Sequence, residues 1–151
     1  MRELLGYPET LSTEPLTFQG PDPFVASPLV LGRRYACADG FQPLMVFVCE
    51  GTCELPWFRR APRTPETLSE TLPDGRRLVV EMRGLFLGGA LALGRLPSPA
   101  ARYQLVVVLE MPLHDVPMSD AAREFQRDPG VLAAVGRTLR GIDALLWPPG
   151  R

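Results

Sequence analysis

The chain has 151 residues, of which 46% are hydrophobic and 22% charged, and its formal net charge is −1. These values are typical of one globular domain whose core is large enough to fold without a metal or a disulfide. The balanced charge argues against a nucleic-acid partner. All sixteen basic residues are arginine, and the absence of lysine excludes Schiff-base, P-loop and kinase chemistry, which need a primary amine.

The lack of lysine is typical of a GC-rich bacterial genome, although selection against lysine modification stays open. The first residues do not resemble a secretory signal, and the longest apolar run, 85–93, is much shorter than a membrane span. We therefore expect a cytoplasmic protein without a membrane partner. Three cysteines, an odd number, favour a reducing compartment over a disulfide scaffold.

Residues 1–28 are predicted to form a proline-rich arm, because five prolines repeatedly fix the backbone and remove hydrogen-bond donors. Large apolar residues recur along it, namely Leu4, Leu5, Leu11, Leu16, Phe18 and Phe24. We expect the arm to lie along the domain or along a partner. Residues 29–151 are then a single α+β domain.

Strands are predicted at 29–37 and 41–49. The second half of the latter segment is apolar on both faces, which is typical of a central, deeply buried strand. Residues 50–65, rich in proline and arginine, are interpreted as a loop. Segments 67–72 and 76–83 flank the turn sequence Pro-Asp-Gly and so predict a hairpin.

Residues 85–93 contain the pair Gly88-Gly89 and are interpreted as one strand with a bulge. A further strand is predicted at 103–111. Two helices follow, the first capped by Ser119 or Asp120 and the second by Asp128. The second carries an apolar stripe of Leu132, Val135, Leu139, Ile142 and Leu146.

Strands followed by helices predict an α+β fold. In it, an antiparallel sheet of about five to six strands is covered on one face by the C-terminal helices, as a two-layer sandwich.

The cysteines and the single histidine are the candidates for chemistry. Cys49 and Cys53, four positions apart at a strand end, could chelate a metal or form a reversible disulfide, and Cys37 and His114 could complete a zinc site. The spacing matches neither a common zinc motif nor a thioredoxin-type pair, so buried or incidental cysteines are favoured. We expect no cofactor and no metal.

The candidate partner-binding residues are Trp57, Phe58, Arg59, Arg60, Arg63 and Trp147. The first five mix aromatic rings with guanidinium groups, as protein interfaces do. The helical stripe that leads to Trp147 is typical of a domain's own core, but a homodimer or partner seam stays open.

Three functions remain open. The favoured one is a non-catalytic protein-binding module, such as an adaptor, secretion chaperone or immunity-type protein, that uses a sheet face and the aromatic and arginine-rich loop. One alternative is a small thiol- or zinc-dependent enzyme using Cys49 or Cys53 with His114. Another is a small-molecule pocket between sheet and helix, lined by Phe47, Met82, Phe86 and Leu139.

Overall fold

A computed structural model describes residues 29–35, 44–55, 58–60, 66–85, 89–111 and 118–148. It confirms the α+β fold, with the strands first and two helices last. The elements are β1 (Leu29–Tyr35), β2 (Leu44–Glu50), β3 (Phe58–Arg60), β4 (Thr67–Thr71), β5 (Arg77–Leu85), β6 (Ala90–Pro97), β7 (Tyr103–Glu110), α1 (Met118–Gln126) and α2 (Pro129–Leu146). The proline-rich arm, residues 1–28, lies outside the described residues.

All of these strands pair antiparallel in one sheet, in the order β1-β2-β7-β6-β5, and both β3 and β4 pair with β5. Because β3 and β4 lie along the same edge of β5, these seven strands make a sheet that is six strands wide. The apolar segment expected to be a central strand is β2, and six of its seven residues are buried. It lies next to the edge strand β1 rather than in the middle, so its burial comes from cover on both faces.

The C-terminal helices cover one face of the sheet, as predicted. Alternating residues of the strands face them, for example Leu78, Val80 and Met82 on β5. Gly94 lets α2 come close, since a Cβ at this position would lie 2.5 Å from Cδ1 of Leu139 and 2.8 Å from Cγ1 of Val135. Four residues of the apolar stripe, Leu132, Val135, Leu139 and Ile142, thus pack in the domain's own core, whereas Leu146 is exposed.

Local signals set the ends of several elements. Asp128 caps α2, where its side chain accepts a hydrogen bond of 2.8 Å from the backbone N–H of Gly130, with Pro129 in the first turn as expected. Gly75, in the turn between β4 and β5, has a φ of +89°, which glycine adopts at little cost. The first helix begins at Met118, one residue before the expected cap Ser119.

The interpretation of residues 85–93 as one bulged strand is wrong. Strand β5 ends at Leu85, and β6 begins at Ala90 and pairs back against it, with Gly84 opposite Ala90. Gly88-Gly89 therefore belongs to the connection of a hairpin, where glycine is also favoured.

The second face of the sheet, opposite the helices, has its own apolar layer. It consists of Met45, Phe47 and Cys49 of β2, Leu91 and Leu93 of β6, and Val106 and Val108 of β7, with Cys53 and Leu55 from the segment after β2. The seven strand residues are only 0–1% exposed. The sheet is thus buried on both faces along β2, β7 and β6.

Neither of the two described helices is long and apolar enough to cross a membrane.

Candidate functional site

Strands β3 and β4 share one edge of β5. Residues 79–84 of β5 pair with β6 on one side, and because a strand has only two edges, both β3 and β4 must lie on the other. The segment expected to be a continuous loop from 50 to 65 therefore contains a short strand, Phe58–Arg60.

The pairing of β3 and β4 with β5 shows where the chain leaves this edge. Arg60 is opposite Arg83 and Thr67 is opposite Glu81, so only Met82 lies between their partners on β5. Six residues, 61–66, lie between Arg60 and Thr67 in the chain. We call these residues the edge loop, and five of them are in excess of what an uninterrupted edge strand requires.

Three of the predicted partner-binding residues lie in β3, immediately before this loop. Phe58, Arg59 and Arg60 form β3, with Arg59 opposite Gly84 on β5. Trp57 and Arg63 lie outside the described residues, as does most of the edge loop. The interpretation of residues 50–65 as a loop thus missed the pairing of Phe58–Arg60 with the sheet, and the role of these residues in binding stays a prediction.

A half-buried ion pair lies beside β3 on the second face. Nε of Arg83 donates a hydrogen bond of 2.9 Å to Oε1 of Glu81, two residues away on β5. Like charges directly across two strands destabilise their pairing, and Arg60 is directly opposite Arg83. The carboxylate of Glu81 balances the charge of Arg83 at this position of the sheet.

Trp147 is partly buried and packs against the helix-side core. Its backbone N–H donates a hydrogen bond of 2.9 Å to the carbonyl of Asp143, which ends α2. The exposed apolar residues at this end of the helix are Leu145 and Leu146. Trp147 thus has a role in the core that is separate from the edge loop.

Cys49 and Cys53 form a disulfide, with their Cα atoms 5.3 Å apart. This corrects the expectation of unpaired cysteines, although both are buried as expected. Gly51, with a φ of +73°, turns the chain back so that Cys53 returns to the second face. Cys49 and Cys53 have no free thiol in this state, so they cannot serve as zinc ligands or as a nucleophile.

Register also separates Cys49 from the C-terminal end of β7. Cys49 is opposite Gln104, whereas β7 continues to Glu110, about 20 Å further along the strand. His114 and Cys37 lie outside the described residues. Within the described part of the chain, no group of three or more histidine, cysteine, aspartate or glutamate side chains is arranged to hold a metal ion.

A polar network on the second face holds Cys53 in place. One guanidinium nitrogen of Arg95 donates to the carbonyl of Cys53 at 2.9 Å and to Oε1 of Gln104 at 2.7 Å. That Oε1 also accepts the backbone N–H of Cys53 at 2.9 Å. Burial lowers the pKa of Arg95, and the nearby charge of Arg83 lowers it further, while Glu81 opposes both.

Glu110 is a titratable group that sequence reasoning did not single out. It ends β7 on the second face, in the register position opposite Leu91. Burial raises the pKa of this carboxyl to about 7. The sequence does contain a sign of this burial. Glu110 follows Val106 and Val108 on the same face of β7, and a carboxyl at the end of such an apolar row has few polar neighbours.

The expected ligand pocket between sheet and helix is not formed by the residues proposed for it. Met82 and Leu139 are fully buried in the helix-side core, whereas Phe47 lies in the layer on the second face. Phe86 lies outside the described residues. The residues of this set that the structure describes are therefore divided between two sides of the sheet.

The chain matches no protein-family model, no curated protein and no solved structure.

Proposed function

We propose that this protein is a non-catalytic protein-binding module, of the adaptor, secretion-chaperone or immunity type, and that it engages its partner with the edge loop and β3. The observation that supports this most directly is the register on β5, because the chain departs from the sheet after Arg60 and resumes pairing at Thr67. Both ends of the loop are therefore fixed by strand pairing.

An interrupted edge strand has a cost. If one residue stood in place of these six, the edge strand would continue its hydrogen bonds along β5 without a break. The protein instead gives up this pairing, and it bears the entropic cost of closing a loop that its fold does not need. Loops held at both ends by a rigid sheet are common carriers of binding residues. Because the two ends are already positioned, a partner orders fewer residues when it binds.

The chemistry of the segment suggests the kind of partner surface. Arg59, Arg60 and Arg63 bring three guanidinium groups within five residues, beside the rings of Trp57 and Phe58. Arginine and aromatic residues are enriched at the centre of protein interfaces. We therefore propose that the partner is a protein with an acidic patch next to an apolar pocket.

The rest of the sheet narrows the surface that a partner can use. The second face is buried within the chain along β2, β7 and β6, whereas Thr67, Ser69 and Thr71 on β4 are exposed on that side. The proposed contact surface is accordingly the edge loop with the outward side of β4, and not the centre of a sheet face.

The opposite edge of the sheet is less suited to pairing with a partner. A register shift between Leu29 and Leu31 leaves Val30 as an extra residue in β1. A guanidinium nitrogen of Arg33 donates a hydrogen bond of 2.8 Å to the carbonyl of Gly32. Bulges and charged side chains discourage the addition of another strand to an edge.

On the composition of the sequence we place the module in the cytoplasm. The Cys49–Cys53 disulfide opposes that placement, because thiols in the cytosol of most organisms are kept reduced. Whether Cys49 and Cys53 are reduced or bonded in fresh extract decides between the cytoplasm and an oxidising compartment.

The experiment that tests the function is an excision that preserves the strand register. Deletion of residues 61–65 together with Glu66→Val leaves Arg60, one valine and Thr67 opposite Arg83, Met82 and Glu81. We expect this variant to fold with an uninterrupted edge strand and to lose the partner that the intact protein captures from its own cells. Arg137→Ala, at an exposed position of α2, is the matched control and retains the partner. Equal capture by the excised variant would contradict the proposal.

A further inference from the structure

Strand β4 is an edge strand with a regular register. It pairs with β5 residue by residue, from Thr67 opposite Glu81 to Thr71 opposite Arg77, without a bulge. Within the part of the chain that the structure describes, no strand pairs with its other edge. The strand also contains no proline. A regular edge of this kind is open to the addition of another strand.

The hydrogen bonds at the end of β4 show which backbone groups point to its outer edge. The N–H of Leu72, directly after the strand, donates to the carbonyl of Arg76 at 2.8 Å, so it points toward β5. Successive residues of an antiparallel strand alternate in this direction. Leu68 and Glu70 therefore direct their backbone groups toward β5, whereas Ser69 and Thr71 direct theirs to the outer edge.

The side chains of β4 are exposed at the same positions. Ser69 and Thr71 are exposed on the second face, whereas Leu68 and Glu70, on the helix side, are half-buried. Glu70 is held there by an ion pair with Arg140 of α2. An incoming strand would thus meet outward backbone groups and accessible hydroxyl side chains at Ser69 and Thr71.

Arg77 gives this edge a positive charge. It is exposed and lies opposite Thr71, and its Nε donates a hydrogen bond of 2.8 Å to Oγ of Ser69. Its guanidinium group therefore lies beside the middle of β4. Among the described residues no carboxylate forms an ion pair with Arg77, since Glu81, on the same face of β5, is bonded to Arg83.

On the basis of the proposed binding function, we propose that the partner adds an extended acidic segment to β4, pairing with Ser69 and Thr71 and placing a carboxylate beside Arg77. In this mode of recognition the backbone hydrogen bonds supply affinity, and the side chains supply specificity. The edge loop joins β4 at Thr67, so one partner contacts both.

The position of Arg77 favours an acidic partner over a second copy of the chain. Two β4 strands paired antiparallel about Ser69 would bring their Arg77 side chains together, because each lies beside its own Ser69. Like charges in such positions destabilise strand pairing. A carboxylate at the same place is attracted instead.

The binding of short labelled peptides tests the proposal, with fluorescence anisotropy as the readout. The probes have about eight residues, enough to cross β4, and alternate threonine with glutamate or threonine with lysine. We expect the full-length protein to bind the glutamate peptide about tenfold more tightly than the lysine peptide. Arg77→Ala should weaken binding of the glutamate peptide about fivefold, as expected for an exposed ion pair. Equal binding of the two peptides would overturn the proposal.

Two substitutions at one position separate the backbone from the side chain. Ser69→Pro removes an N–H that points to the outer edge, and proline is tolerated at such a position of an edge strand. We expect it to weaken binding of the glutamate peptide about tenfold, whereas Ser69→Ala, which keeps the N–H, should bind within about twofold of the parent. Equal binding by these two variants would contradict strand addition, even if excision of the edge loop abolishes capture of the partner and so supports the proposed function.

Amide hydrogen exchange of the unmodified protein gives a test that does not depend on a variant. The amides of Ser69 and Thr71 should exchange faster than those of Leu68 and Glu70, and the glutamate peptide should slow them about tenfold. Slowing confined to residues outside β4 would overturn the proposal. Slow exchange of Ser69 and Thr71 that appears with a dimer, and is lost on dilution, would assign the edge to a second copy and would also overturn it.

Discussion

Arg76 and Asp143 are joined by two parallel hydrogen bonds, of 2.6 and 2.9 Å, between the guanidinium group and the carboxylate. Arg76 follows the turn between β4 and β5, and Asp143 lies near the end of α2, so the pair fixes the helix to the sheet. The same guanidinium also contacts Asp74 at 2.7 Å and the carbonyl of Pro97 at 3.0 Å. The side chains of Arg76 and Asp143 are 15% and 10% exposed, respectively.

Removing one partner of this pair leaves a poorly solvated charge. We expect Asp143→Ala to lower the free energy of unfolding by about 3 kcal/mol, near the lower limit for a buried pair because some solvent reaches it. Urea unfolding measures the change. Asp120→Ala, which breaks the exposed pair with Arg123, is the control and is expected to cost less than about 0.5 kcal/mol. Equal losses in the two variants would show that the Arg76 pair does not hold the helix.

The close approach of α2 to the sheet depends on Gly94. In Gly94→Ala the new methyl group would overlap the side chains of Leu139 and Val135, so the helix must shift. We expect a loss of about 2 kcal/mol in the free energy of unfolding, a typical cost of overpacking. The double variant with Leu139→Ala should lose less than the sum of the two single changes, because the truncated side chain makes room. Strict additivity would mean that the two residues are not in contact.

Glu110 gives the stability a predictable dependence on pH. Its pKa is raised from 4.5 to about 7, so the native state holds the proton more tightly than the unfolded chain does. The resulting stabilisation is complete below about pH 4.5 and is lost as the pH rises through 7. In Glu110→Gln, which stays neutral, we expect the decline in unfolding free energy between pH 5 and 8 to be smaller by about 2 kcal/mol.

Chemical denaturation at several pH values measures this difference. Glu124→Gln, at an exposed position on α1, is the matched control for the loss of one carboxylate. A decline in Glu110→Gln as steep as in the parent protein would show that Glu110 is not the group responsible.

The disulfide predicts a thiol count. Alkylation of the purified, air-oxidised and denatured protein without a reductant should modify one cysteine, Cys37, and alkylation after reduction should modify all three. Mass spectrometry reads both values directly. Three modified cysteines in the unreduced sample from fresh extract would place the protein in a reducing compartment and leave Cys49 and Cys53 as buried thiols.

The same bond makes a stability prediction. Cys53→Ser is expected to lower the free energy of unfolding by about 2 kcal/mol, which is the entropic effect expected for closing so short a loop. Addition of a reductant to the parent protein should give a similar loss, and it should have no effect on the variant. A reductant that left the parent unchanged would argue against a structural role for the bond.

Features set by neighbouring residues could be predicted from the sequence. The turn between β4 and β5 depends on Pro73, Asp74 and Gly75, and the start of α2 depends on Asp128 and Pro129, so both were correctly placed. The overall α+β arrangement followed from the order of these elements and the period of their apolar residues.

Features set by distant pairing could not be predicted. Strand β3 has three residues and forms only because β5 offers an open edge, and the position of β2 beside β1 depends on the order of the whole sheet. The disulfide requires Gly51 to turn the chain back toward β2, which spacing alone does not indicate. The burial of Glu110 likewise depends on what covers the second face.

The central claim is that the edge loop contacts a protein partner, and crosslinking inside the cell tests it most directly. A photoreactive phenylalanine analogue at Thr64, within the edge loop, is compared with the same analogue at Arg137, exposed on α2. We predict one discrete crosslinked species from position 64 that is absent from position 137. No adduct at position 64, or the same adducts from both positions, would contradict the claim.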